Sequence, residues 1–162
     1  QGSDLDSTNL TAWFAAEQTS LVVGESVSFQ NTSFGNISSY RISTQENPGS
    51  VRYQDAGTFD VKLIAYSGDK ADSLIRSDYI QVLPNISPNP GNGIFTLAFG
   101  AKKPENVKVE VFNDHGQQVD CTITENEQTH LTINMTTNSA GVYFIRFSSD
   151  EQQNTYKVVL IK

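Results

Sequence analysis

Two histidines, one cysteine and a scatter of acidic side chains are the groups in this 162-residue chain that could do chemistry. His115 lies in the run Asn113-Asp114-His115-Gly116, and neither it nor His130 has a second ligand type at metal-binding spacing. A turn recruits polar residues of this kind for backbone reasons, so His115 reads as a solvated turn side chain. Cys121 falls in the alternating series Val119, Cys121, Ile123, where it reads as a small apolar strand residue rather than a reactive thiol. A lone cysteine forms no internal disulfide and leaves no pair to grip zinc. The run Ser67-Gly68-Asp69-Lys70-Ala71-Asp72 offers fewer oxygens than the roughly six to eight that calcium takes, and reads as a hairpin turn. Gly91-Asn92-Gly93 lacks the strand-to-helix setting of a phosphate loop, and no nucleophile elbow or Gly-Lys-Ser/Thr phosphate motif occurs. The expectation is therefore no catalytic residue, no metal and no cofactor.

Aromatic side chains are the remaining candidates for recognition. Trp13, next to Phe14, together with Tyr40 and Tyr66, forms a candidate platform on which sugar rings could stack. Most aromatics of a small β-sandwich fill its core, so the exposure of Trp13 is the discriminating observation. The candidate ligand is a polysaccharide or another protein. A formal net charge of -7, with basic residues scattered rather than clustered, gives no footprint for nucleic acid or an anionic membrane surface. No stretch approaches the roughly 20 apolar residues of a transmembrane helix. The polar N-terminal residues carry no signal-peptide pattern, and the chain is expected to begin inside a longer protein.

What must position these residues is a set of short strands. Val27 and Phe29, Tyr40 and Ile42, Phe59 to Ala65, and Ile80 and Val82 alternate with polar neighbours, and Gly, Asn and Asp turns separate them, one at Asn47-Pro48-Gly49. The same pattern recurs in Phe95 to Phe99, Val107 to Val111, Val119 to Ile123, Leu131 to Met135, Tyr143 to Phe147 and Tyr156 to Leu160. Pro84, Pro88 and Pro90 cluster between the two blocks, where missing amides should stop any ladder. The reading is all-β, two immunoglobulin-like antiparallel β-sandwich domains in tandem: a linker at 1–9, a first sandwich at 10–83 and a second at 84–162.

The second block resembles the type A C-terminal sorting domain of the type IX secretion system. The likeness rests on Ser87-Pro88-Asn89-Pro90 with Gly93, Phe95 and Leu97, on Val109 to Val119 with Gly116 in its turn, and on Ala140-Gly141-Val142-Tyr143 followed by Tyr156-Lys157 to Lys162. The resemblance implies a sorting motif of Pro88, Asn89, Pro90, Gly93, Gly116, Gly141, Tyr143, Lys157 and Lys162. It also implies recognition by the outer-membrane type IX secretion machinery and its sortase, export across the bacterial outer membrane, and a secreted or surface-attached product. Physically, Gly93 and Gly116 read as turn residues with positive φ, and Gly141 as a bend into the next strand. The proline-rich stretch reads as an exposed linker, and a cut near Leu83 to Ser87 is expected there. Val27 to Ser33 and Tyr53 to Leu63 resemble a PKD domain lacking that family's Trp and Gly-Asp-Gly turn, which implies a spacer or weak binding module. Asp72-Ser73-Leu74 resembles an acceptor triplet for bacterial protein O-glycosylation, and Asn-x-Ser/Thr triplets begin at Asn9, Asn31, Asn36, Asn85 and Asn134.

Overall fold

A computed structural model of the chain describes residues 9–42, 45–46, 49–126 and 129–162. Residues 1–8 of the expected linker, and Asn47 and Pro48 of one expected turn, lie outside them. Every regular element among the described residues is a strand, and none of them forms a helix able to cross a membrane. The chain divides into two compact units, 1–21 with 25–52 and 58–81, and 22–24 with 53–57 and 82–162.

In the first unit, β1 (Phe14–Ala16) pairs with β4 (Phe29–Asn31), and β3 (Ser26–Val27) with β7 (Val51–Arg52). A five-stranded sheet orders β2 (Ser20–Val22), β9 (Lys70–Leu83), β8 (Gly57–Ser67), β5 (Ser39–Ile42) and β6 (Gln45–Glu46), with Val22, Gly57, Val82 and Leu83 counted in the second unit. Alternation does what the sequence requires: Val61, Leu63 and Ala65 are buried while Asp60 and Lys62 between and beside them face water. Phe14, Leu21, Val27, Phe29, Ile42 and Ile80 complete this core. The β8–β9 turn uses Gly68 at φ +56°, as the Ser67-Gly68-Asp69 signal requires. β9 begins ten residues before Ile80. Its first part runs Lys70-Ala71-Asp72-Ser73, exposed except for half-buried Asp72, and carries no apolar period by which sequence could find it.

Among the described residues the second unit is a sandwich of seven strands. One sheet orders β10 (Asn85–Ser87), β11 (Ile94–Ala98), β14 (His130–Asn134) and β13 (Thr122–Asn126); the other orders β12 (Lys108–Asn113), β15 (Gly141–Ser148) and β16 (Gln153–Leu160). All pairings within both sheets are antiparallel. Their inner faces meet through Phe95, Leu97, Phe99, Val111, Leu131, Ile133, Met135, Tyr143, Ile145, Phe147, Val158 and Leu160.

Two expectations are corrected here. The proline cluster does not stop pairing: Asn85, Ile86 and Ser87 lie between Pro84 and Pro88, keep their own amides, and pair with Ala98, Leu97 and Thr96. Pro84 is buried and Asn85–Ser87 form an edge strand, not the free linker that motivated a cut there. Val119 to Ile123 is not one core strand either. Val119 bonds back to Val111 (2.9 Å) at the edge of β12, Cys121 lies between elements, and β13 starts at Thr122 as an edge strand, where Ile123 lies opposite buried Ile133 but stays 41% exposed.

Candidate functional site

β16 is the last strand of the chain and the edge of its sheet, so every second residue turns its amide and carbonyl away from β15. The segment 88–91 meets those groups. The Asn89 side-chain amide donates to the carbonyl of Lys157 (2.8 Å), and the Asn89 Oδ1 accepts from the amide of Val159 (3.0 Å). One peptide further, Gly91 N–H donates to the Val159 carbonyl and Ile161 N–H donates to the Gly91 carbonyl, both at 2.9 Å. The Asn89 carboxamide thus presents the acceptor and donor of a peptide unit, and Gly91 continues the row as a parallel bridge to Leu160. Gly91 has to be glycine, because a Cβ there would stand 2.8 Å from the Phe95 ring and 2.9 Å from the Pro88 carbonyl. Both proline peptides of this segment, Ser87-Pro88 and Asn89-Pro90, are cis.

Gly93 ties the segment to the other sheet. Its carbonyl accepts from Met135 N–H at 2.6 Å, its φ is +102°, and a Cβ would meet Thr136 Cα at 2.9 Å. Gly116, at φ +76°, completes the turn after β12. Asn113 organises that turn, its Oδ1 accepting from the amides of His115 (3.0 Å) and Gln117 (2.9 Å). Tyr143 is buried, and its hydroxyl donates to the Ser139 carbonyl at 2.8 Å. Gly141 has neither a left-handed φ nor a crowded surrounding: a Cβ would touch only Tyr143 Cε2, at 3.8 Å, so the expected tight bend is not what holds glycine there. Lys157 contributes its carbonyl to the edge, and Lys162 Nζ reaches the Thr136 carbonyl at 3.2 Å.

Pro88, Asn89, Pro90, Gly93, Lys157 and Lys162 therefore stand together around the terminal strand, while Gly116 lies in the turn after β12, on the opposite edge of the sheet from β16. Near that turn Phe112 and Phe144 sit side by side on the solvent face of the sheet, with the Arg146 guanidinium 4.7 Å from the Phe112 ring. A shallow hollow of about 340 Å³ opens there, lined by Phe112, Asn113, Asp114, Gly116, Phe144, Arg146 and Thr155.

In the first unit the three aromatics of the candidate platform do not come together. Tyr40 pairs with buried Ala65 and shares its inward face, whereas Tyr66 pairs with Ser39 on the opposite face. Trp13 has a different neighbour. The register that places Phe14 opposite Asn31 and Thr11 opposite Phe34 puts Phe34 diagonal to Trp13 on the outer face of the β1–β4 ribbon. Trp13 is 49% exposed and Phe34 69%. The guanidinium of Arg76 lies 5.0 Å from the Trp13 ring, 5.0 Å from Phe14 and 4.9 Å from Tyr79, which pins the indole.

The residues first considered for chemistry are held in structural roles. His115 bonds Asp114 at the exposed turn (2.7 Å), and His130 Nδ1 lies 3.0 Å from the Thr129 hydroxyl. Burial, helped by Asp120, pushes the Cys121 thiol above its ordinary pKa, away from a reactive thiolate. The Asp72 carboxylate accepts from Ala12 N–H at 2.7 Å. Asn31 and Asn134 each bond the amide two residues on, as turn-forming asparagines do. Among the described residues no group of three His, Cys, Asp or Glu side chains is placed to hold a metal. Sequence reasoning missed Gly91, Asn113, Phe34 and Arg76. Gly91 leaves a signal as half of a Gly-x-Gly pair, which excludes a phosphate loop without disclosing the close backbone approach, and Asn113 leaves one as the head of the Asn-Asp-His-Gly turn; Phe34 and Arg76 leave none.

Two all-β units, the second a sandwich of two antiparallel sheets, are what this architecture defines. Residues 85–162 match the model of the family described as "Secretion system C-terminal sorting domain", and this module belongs to that family, the sorting tail of type IX secretion. Such a tail marks a protein for export across the outer membrane, to the cell surface or beyond. No curated protein matches the chain. Solved structures similar to it include extracellular domains 3–5 of Drosophila OTK, at 12% identity over 94% of this chain and 61% of that one, with a TM-score of 0.33. An I-band fragment of titin gives 13% identity over 93% and 65%, with a TM-score of 0.35, and murine CEACAM1b gives 10% over 94% and 99%, also with 0.35.

Proposed function

We propose that this chain is the non-catalytic tail of an exported protein, in which 84–162 form the sorting module and 10–83 a spacer with a weak binding face. The sorting module acts through its folded outline, which the outer-membrane machinery and its sortase grip on unlike cargoes. The observation that carries this reading is the stitching of Asn89 and Gly91 onto Lys157, Val159 and Ile161. The two ends of the family's pattern become one surface, so neither end works without the other. Fusing residues 84–162 to an inert reporter in a host with type IX export tests it. The reporter should reach the cell surface, and the same fusion lacking residues 156–162 should stay inside; surface display of both would refute the reading.

For the first unit a specific observation favours ligand contact over a bare spacer. The face bearing Trp13 and Phe34 also carries Thr11, Ala15, Gln30 and Thr32, all exposed and none charged. Flat aromatic surface rimmed by hydroxyl and amide groups suits a neutral polysaccharide, whose ring faces are apolar and whose edges hydrogen-bond. Retention on insoluble neutral polysaccharide, lost in Trp13→Ala with Phe34→Ala, is the expected result. Equal retention of the double variant would remove the platform.

A further inference from the structure

The closure of the β16 edge points beyond export. A β-edge with free amides and carbonyls is a template for another strand, and proteins cover such edges by several means. Here the cover consists of a side chain and one glycine. Along β16 the outward groups of residues 153, 155, 157, 159 and 161 follow the period of a strand. Asn89 takes Lys157 O and Val159 N, and Gly91 takes Val159 O and Ile161 N; among the described residues this leaves the stretch from Gln153 to the Lys157 amide facing outward uncovered.

We infer that the Asn89 carboxamide is a strand surrogate that keeps this edge from pairing with the same edge of a second copy of the chain. The edge fits that partner. Antiparallel pairing of Gln153–Val159 with its own twofold mate sets Lys157 opposite Thr155 of the other copy, so the two Lys157 side chains are diagonal neighbours and not a directly opposed like-charge pair, and a twofold contact of this kind is closed and self-complementary. With Asn89 in place the uncovered stretch is too short for such a ladder. Without its carboxamide the open edge extends without interruption from Gln153 to the amide of Val159. The edge of β13 at the other sheet is the same with or without Asn89, so comparing variants isolates β16.

The test compares the unsubstituted chain with Asn89→Ala, which deletes both bonds, and Asn89→Asp at neutral pH, which keeps the size but removes the donor to Lys157 O. Amide hydrogen exchange at low protein concentration should show Val159 exchanging roughly tenfold faster in Asn89→Ala, with Ile161, held by Gly91, and core Ile133 changed far less. Sedimentation across a concentration series should give both variants a dimer dissociation constant at least about tenfold lower than that of the unsubstituted chain. Unchanged Val159 exchange, or equal self-association of all three proteins, would overturn the inference. So would loss of core protection in both variants, because the Asn89 contacts would then be holding the sandwich and not its edge. None of these readouts involves export, so the outcome is separate from that of the sorting proposal.

Discussion

The hydroxyl of Tyr143 donates to the carbonyl of Ser139, four residues upstream, while its ring lies in the core of the second unit. This contact ties the turn that leads into β15 to the core, beside the Asn138 N–H to Met135 carbonyl bond, and β15 is the strand that pairs with both β12 and β16. The ring and the hydroxyl do different work, and substitution separates them. Tyr143→Phe keeps the packing and orphans a part-buried carbonyl, so the module should lose about 1 kcal/mol, within the range for one hydrogen bond. Urea unfolding of residues 84–162 should show a lower midpoint at unchanged slope.

Two glycines of the sorting motif should respond in opposite ways. Gly93→Ala forces a Cβ to 2.9 Å from Thr136 Cα at φ +102°, and both objections are backbone ones that no side-chain shift relieves. A loss of about 2 to 4 kcal/mol is expected. Gly141→Ala meets only ordinary contact and reduces the freedom of the unfolded chain, so it should be neutral or stabilising by up to about 1 kcal/mol. Thermal unfolding of the two variants side by side checks the contrast.

Burial pushes the Tyr156 phenol above its ordinary 10.0, with the Asn154 hydrogen bond pulling the other way, and pushes the Cys121 thiol above 9.0. Both groups hold their proton to higher pH in the folded chain than in the unfolded one. Their contribution is complete below the unfolded values and is lost as pH rises through the folded ones. Stability should therefore stay level to about pH 9 and then fall. Tyr156→Phe should make that alkaline fall shallower and, by losing its 2.8 Å bond to the Pro84 carbonyl, lower the neutral-pH stability by about 1 kcal/mol. Urea midpoints from about pH 8 to about pH 11 provide the measurement.

The strands that alternate were legible, and so was the all-β class. Phe95, Leu97 and Phe99, or Tyr143, Ile145 and Phe147, announce a buried face because a period of two leaves no other choice. Ile123 misled because the same period also occurs on an exposed edge strand, and β10 was hidden because prolines flank it without interrupting it. The candidate site was half legible. Asn89 was identified by family likeness, but its bonds to Lys157 and Val159 span about half the chain, and no local pattern encodes a side chain acting as a peptide. Trp13 was found by its type, and its partners Phe34 and Arg76 were not, since strand register and not spacing brings them together.

That register makes Arg76 the residue on which the Trp13 face depends. Its guanidinium lies about equally far from the rings of Trp13, Phe14 and Tyr79, and a planar cation can stack where an ammonium group cannot. Arg76→Ala should cost about 1 to 2 kcal/mol and release the indole from one side. Because Trp13 is the chain's single tryptophan, its fluorescence reports this directly. Acrylamide quenching should increase and anisotropy fall in Arg76→Ala, with Arg76→Lys restoring the signal only in part. If the face binds polysaccharide through a pre-set indole, retention should drop in Arg76→Ala although Arg76 itself touches no sugar, because ordering Trp13 must then be done at binding. Unchanged quenching together with unchanged retention would mean that the ring is held by the Trp13 backbone bonds to Ser33 and Thr32 alone.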